Sequence, residues 1–135
     1  MQSVKTCGVI VVYCSVVRSV LEYACEVWHP GLTNAQSDVL EAVQRRCLRI
    51  IFPQLSYRES LESSMLEKLS VRRERVVIEL FSKVKCPSHP LHCLLTRRTE
   101  LARKEFRAQY PFKIEVGRTS RIARSFINYC IQKRF

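Results

Sequence analysis

The chain has 135 residues, 47% of them apolar and 26% charged, a globular composition with room for one domain. Lys and Arg number 23 against 12 Asp and Glu, a formal +11, and the excess is unevenly placed: residues 1–67 hold 6 basic and 7 acidic side chains, residues 68–135 hold 17 and 5. Three glycines (Gly8, Gly31, Gly117) leave no material for a Gly-rich phosphate loop, and a single aspartate, Asp38, is a poor start for a two-metal phosphoryl-transfer site.

The first predicted element runs over residues 4–28. Val9, Val12, Val16, Val20 and Tyr23 recur at three and four, and Val17 and Leu21 widen the stripe. Its β-branched content would also suit a strand, but the length favours a helix. Residues 6–17 carry no charge, so this helix is expected to be buried between partners. Twelve residues fall short of the roughly 20 that span a bilayer, so no membrane segment is expected. Lys5 followed by 7–17 imitates a signal peptide, yet no small-x-small cleavage site follows. Seven cysteines, an odd number with five at plausible helix-core positions, suit reduced, buried thiols. The expected location is therefore intracellular, nucleus or cytoplasm, and not secreted.

His29-Pro30-Gly31 stops the first helix, and a second runs from Thr33 or Asn34 to Phe52, ended by Pro53. Leu40, Val43, Cys47 and Ile50 form its expected seam, with Arg45, Arg46 and Arg49 on the other side. Ser56-Tyr57-Arg58-Glu59 fits a capping box and opens a third helix over 57–68, with Leu61, Met65 and Leu69 inward. A fourth, capped by Ser70, spans 71–85 with Val76, Val77, Leu80, Phe81 and Val84 inward. Arg72, Arg73 and Arg75 sit in its first turn, where cations oppose the helix dipole, so something anionic is expected to meet them. Residues 86–90 form a loop, 91–107 a short helix, and 110–135 a basic segment with spaced aromatics whose 126–131 part suits helix or strand. The predicted class is all-α: a small helical bundle with a basic C-terminal tail, divided into a helical region 1–88 and a basic region 89–135 packed on the same domain.

These blocks carry a resemblance. Tyr13-Cys14-Ser15, Arg18-Ser19-Val20-Leu21-Glu22-Tyr23-Ala24-Cys25 and Val27-Trp28-His29-Pro30-Gly31-Leu32-Thr33 resemble the stretch that follows the polymerase palm in non-LTR (LINE-type) retrotransposon reverse transcriptases. The likeness continues through Leu40-Glu41-x-Val43-Gln44-Arg45-Arg46-x-Leu48-Arg49-Ile50-Ile51-Phe52-Pro53, resumes at Tyr57-x-x-x-Leu61 and Leu69-Ser70-x-Arg72-Arg73-Glu74, and ends on Arg118-Thr119-x-Arg121 with Arg124-Ser125-Phe126-Ile127. It spans nearly the whole chain in order. The family's paired aspartates, its fingers and its endonuclease have no counterpart here, so the resemblance implies a fragment of an RNA-directed DNA polymerase that is no enzyme on its own. Glu26 stands where many relatives have proline, which implies an unbroken first helix.

What such a fragment would do is hold nucleic acid. Arginine outnumbers lysine 16 to 7, which suits bidentate phosphate contacts. The groups are Arg45/Arg46/Arg49, Arg72/Arg73/Arg75, Arg97/Arg98, Arg103/Lys104/Arg107 and Arg118/Arg121/Arg124. Of these, Arg45, Arg46, Arg49, Arg72, Arg73, Arg118, Arg121 and Arg124 are the candidate contacts to an RNA or DNA backbone, a template–primer, in a sequence-independent, salt-sensitive way. The competing reading of each group is a solvated helix face. Tyr110, Phe112, Phe126, Tyr129 and Phe135 could stack on bases, but core is the favoured role. Cys86-x-x-His89-x-x-His92-Cys93 offers zinc-type ligands, but the adjacency of His92 and Cys93 and the stiffness of Pro87 and Pro90 argue against a site; no metal and no cofactor are expected. No nucleophile motif occurs. The alternative function is a helical protein–protein interaction module, its apolar first helix meeting the missing palm or a second copy of the chain.

Overall fold

The computed structural model describes residues 2–95, 112–114 and 117–133. They form an all-α structure, with no strand among them: α1 (Gln2–Val12), a π-helical segment (Tyr13–Val17), α2 (Arg18–Leu21), α3 (Cys25–Trp28), a 3-10 turn (His29–Gly31), α4 (Asn34–Ile51), α5 (Tyr57–Ser64), α6 (Leu69–Val84), a second 3-10 turn (Pro90–Leu94), α7 (Ser120–Ala123) and α8 (Phe126–Lys133). The part of the expected fifth helix beyond residue 95, and Arg97, Arg98, Arg103, Lys104, Arg107, Tyr110 and Phe135, lie outside the described residues. Of the 126–131 segment, left open between helix and strand, α8 shows the helix.

Local chemistry sets the helix ends. Thr33 caps α4 in a reciprocal box with Gln36, and Ser56 caps α5 in the same way with Glu59, whose carboxyl this contact holds below its ordinary range. α5 stops at Ser64, shorter than expected. Met65 takes a left-handed conformation (φ 53°), and Leu66 and Met65 return their amides to the carbonyls of Leu61 and Glu62. Met65 is consequently 95% exposed instead of inward, while Leu69 is buried at the start of α6.

The first helix departs most from expectation. The segment is interrupted at residues 22–24, where Ala24 is left-handed (φ 49°) and the Cys25 amide donates to the Glu22 carbonyl. The absence of proline at Glu26 did not preserve it. Upstream, the Ser15 and Ser19 hydroxyls donate to carbonyls one turn back, at Val11 (2.9 Å) and Ser15 (2.6 Å), a pattern that bends helices, and the backbone between them is π-helical.

Contacts group the described residues into two compact units, one within Met1–Cys25 and Leu32–Glu74, the other within Glu26–Gly31 and Arg75–Phe135. The division between them falls inside α6. In the second unit Val77, Phe81, Val84, Leu95, Cys130 and Ile131 form the core, with Leu80, Phe112, Ile114, Phe126, Ile127 and Tyr129 against it. Phe126 meets Phe81 edge-on at 6.2 Å, and Tyr129 meets His29 at 6.3 Å, so the described tail aromatics are core residues. Gly117 belongs here for a steric reason: a Cβ at that position would sit 2.6 Å from Cβ of Ile122.

The first unit is organised differently. The valine stripe expected inward on the first helix faces out: Val9, Val12, Val16, Val20 and Tyr23 are all exposed, Val20 by 73%. Thr6, Ile10, Tyr13, Val17 and Leu21 turn inward instead, one residue further on. The same shift occurs on α4, where Glu41, Gln44 and Leu48 are buried and Val43 and Ile50 are exposed. The cause is polar. Tyr13 is the largest side chain on the competing stripe, and its hydroxyl donates to Gln44 Oε1 at 2.7 Å. Gln44, fully buried, donates in turn to the Tyr57 hydroxyl (3.1 Å) and the Glu67 carbonyl (3.0 Å). Tyr57 donates to Glu41, which also accepts the Ser70 amide. A buried network of this kind must be completed to be tolerated, and completing it fixes the rotation of both helices.

Among the described residues no single helix is long and apolar enough to cross a membrane. None of the seven cysteines is in a disulfide; Cys25 and Cys130 are buried, Cys14 and Cys47 half-buried, and Cys7, Cys86 and Cys93 exposed.

Candidate nucleic-acid interface

The eight candidate arginines fall into three structural situations. Arg45, Arg46 and Arg49 are exposed on the C-terminal half of α4. Among the described residues none of them is ion-paired with a carboxylate. Arg49 also lies in the last turn of the helix, where a cation is favoured by the carbonyl ends.

Arg72 and Arg73 are used internally. Arg72 Nε donates to Glu22 Oε2 at 2.9 Å, which raises its pKa, and its Nη1 lies 3.9 Å from Glu67. Arg73 is 0% exposed and gives Nη2 to the Ser37 hydroxyl at 2.9 Å. Burial lowers its pKa, against the favourable field of Glu41. The anion expected at the start of α6 is thus the protein's own carboxylates, and Arg73 is out of reach of any phosphate outside the fold. Arg75 pairs with Glu79 one turn on, at 3.8 Å.

Arg121 lies in the short α7 of the second unit and Arg118 and Arg124 flank it, all exposed and, among the described residues, without a carboxylate partner. Their backbone is held by the Thr119 carbonyl, which accepts the amides of Ile122 and Ala123, and by Asn128, whose side-chain Nδ2 donates to the Ile122 carbonyl at 2.7 Å.

The sequence did not point to a pocket, but one lies beside the first arginine group. Arg45, Arg49, Pro53, Leu55, Tyr57 and Ser60 line a half-open cavity of about 330 Å³. Its geometry follows from the buried network. Tyr57 is pinned by its hydroxyl to Glu41 and Gln44, and the Arg45 guanidinium rests 5.1 Å from the centroid of that fixed ring. Burial and the bond to Glu41 push the Tyr57 phenol up to about 12. Pro53 and Leu55, on the turn that ends α4, supply the apolar side.

The Cys86–Cys93 loop uses its donors locally. The His89 Nδ1 accepts the Leu91 amide (3.2 Å), His92 Nδ1 donates to the Val84 carbonyl (3.0 Å), and the Cys93 thiol donates to the Pro90 carbonyl (3.2 Å). Among the described residues no three His, Cys, Asp or Glu side chains converge as a metal site would require. Compared with protein-family models, curated proteins and solved structures, the chain has no match.

Proposed function

We propose that this chain is a nucleic-acid-gripping helical region, of the kind that follows the palm in LINE-type reverse transcriptases, which holds RNA or DNA by backbone phosphates and performs no catalysis alone. The observation that carries the reading is the row Arg45, Arg46 and Arg49: three exposed guanidinium groups on one helix with no carboxylate among the described residues paired to any of them. A face built for solubility alone usually intersperses both signs, as Arg58 with Glu62 and Arg75 with Glu79 do here. Arg118, Arg121 and Arg124 extend the same chemistry. Seven free thiols suit a reducing nucleus or cytoplasm.

The test is fluorescence polarisation with a labelled RNA and a labelled DNA duplex from about 50 to about 200 mM salt. Affinity should fall steeply with salt, and reversal of Arg45, Arg46 and Arg49 to glutamate should flatten the log–log slope by about 2–3, near 0.9 for each phosphate no longer neutralised. Absence of binding at the low-salt end refutes the reading.

A second reading rests on a separate observation, the exposed row Val9, Val12, Val16 and Val20. It makes the chain an interaction module whose first helix associates with a second copy. Sedimentation should then show a salt-tolerant dimer that Val12→Asp or Val16→Asp dissolves.

A further inference from the structure

The cavity beside α4 differs from the open arginine row in shape, and shape restricts what enters it. At about 330 Å³ it is at the small end of ligand sites, large enough for one compact molecule. Arg45 and Arg49 stand one helical turn apart, with Cβ atoms about 5–6 Å from each other, a spacing that lets two guanidinium forks share one phosphate. Next to them the lining is partly apolar: Pro53, Leu55 and the Arg45 guanidinium on the Tyr57 ring. The ring on which Arg45 rests is itself anchored, because Tyr57 is held by Glu41 and Gln44 behind it. Arg46 is on the same helix but does not line the cavity.

We infer that this cavity takes a single unpaired nucleotide, its phosphate held by Arg45 and Arg49 and its base laid against the Arg45 guanidinium, Leu55 and Pro53. A guanidinium plane is a stacking surface for an unpaired base, and stacking accepts any base, so the site would read the presence of an unpaired base rather than its identity. The inference rests on the nucleic-acid reading above, from which the strand is borrowed, but it assigns a separate task to two of the three arginines.

The experiment uses the full chain and small ligands, so it does not depend on binding of a long strand. Adenosine monophosphate, inorganic phosphate, adenosine and phosphoserine are titrated separately, followed by amide chemical shifts. Adenosine monophosphate should bind about tenfold more tightly than inorganic phosphate, the difference being the stacked base. Arg45→Ala and Leu55→Asp should each abolish that preference, Arg49→Ala should weaken both ligands about equally, and Arg58→Ala, at an exposed arginine paired with Glu62 and outside the cavity, should leave both affinities unchanged. Leu55 is a half-exposed loop residue, and Leu55→Ala, a milder change, should reduce the preference without abolishing it. Equal binding of adenosine monophosphate and inorganic phosphate overturns the inference, as does phosphoserine binding as tightly as the nucleotide, which would mark a phosphopeptide site. Equal loss from Arg58→Ala and Arg45→Ala also overturns it. If labelled RNA binds but these small-ligand outcomes fail, the pocket is refuted and the backbone grip stands. If RNA fails to bind at low salt, the grip is refuted whatever the pocket does.

Discussion

Gln44 joins the π-helical segment, α4, α5 and the approach to α6, and its replacement by methionine isolates that role. Methionine fills a similar volume without donating or accepting a strong hydrogen bond. The substitution removes the acceptor of the Tyr13 hydroxyl (2.7 Å) and the donor to the Glu67 carbonyl (3.0 Å); Tyr57 still has Glu41. Two buried groups are then unsatisfied, at about 1–3 kcal/mol each, while the buried thioether chain returns about 1.5 kcal/mol. The expected net loss is about 2 kcal/mol, a large share of a stability that for small domains is about 5–15 kcal/mol. Urea denaturation measures it, with an unchanged m-value showing that only the native state was affected. A cycle with Tyr13→Phe sharpens the test: without its hydroxyl, position 13 no longer suffers from the missing amide, so the double variant should be about 1 kcal/mol more stable than the sum of the singles. Gln44→Met within about 0.5 kcal/mol of the parent, together with an additive cycle, would refute a role for this network in setting the rotation of the two helices.

Two further predictions concern groups the fold has claimed. Arg73→Met should destabilise by on the order of 3 kcal/mol, because Glu41 loses the opposing buried charge. The folded variant should nevertheless keep its affinity for RNA within about twofold, and a loss comparable to that of the α4 arginines would return Arg73 to the interface. Tyr57 and Cys130 are each pushed up to about 12 by burial, and Tyr13 is raised as well. The fold favours the protonated, neutral forms, so this contribution is full below the unfolded-state values of 10.0 for tyrosine and 9.0 for cysteine and is lost as pH rises towards 12. Stability should fall from about pH 9 upward by up to about 1.4 kcal/mol per pH unit for each titrating group, and Tyr57→Phe with Cys130→Ala should flatten the fall. A level curve between pH 8 and 11 in the parent would contradict the burial that raises these groups.

Much of this protein is settled within short stretches of sequence. Helix class and most boundaries follow from neighbours: the Thr33–Gln36 and Ser56–Glu59 boxes, the stops at Pro30 and Pro53, and the apolar face of Val77, Phe81 and Val84, all of which operate over a turn or less. The exposed arginines of α4 were legible for the same reason, since a cation at that spacing on an apolar helix has few other places to go. Rotation of the helices was not. Each of the first two long helices carries two adjacent stripes that could face inward, one residue and about 100° apart, and periodicity alone favours the more apolar one. Only partners distant in sequence break the tie: Tyr13 finds Gln44 thirty-one residues away, and Gln44 finds Glu67 twenty-three further on. The same non-local pairing decides which arginines are available. Arg72 meets Glu22 across fifty residues and Arg73 meets Ser37 across thirty-six, so of two side chains identical in sequence character to Arg45 and Arg46 one is tied to a carboxylate and the other becomes part of the interior. Composition set the charge this chain carries, and tertiary contacts determined where that charge is left free to meet a phosphate.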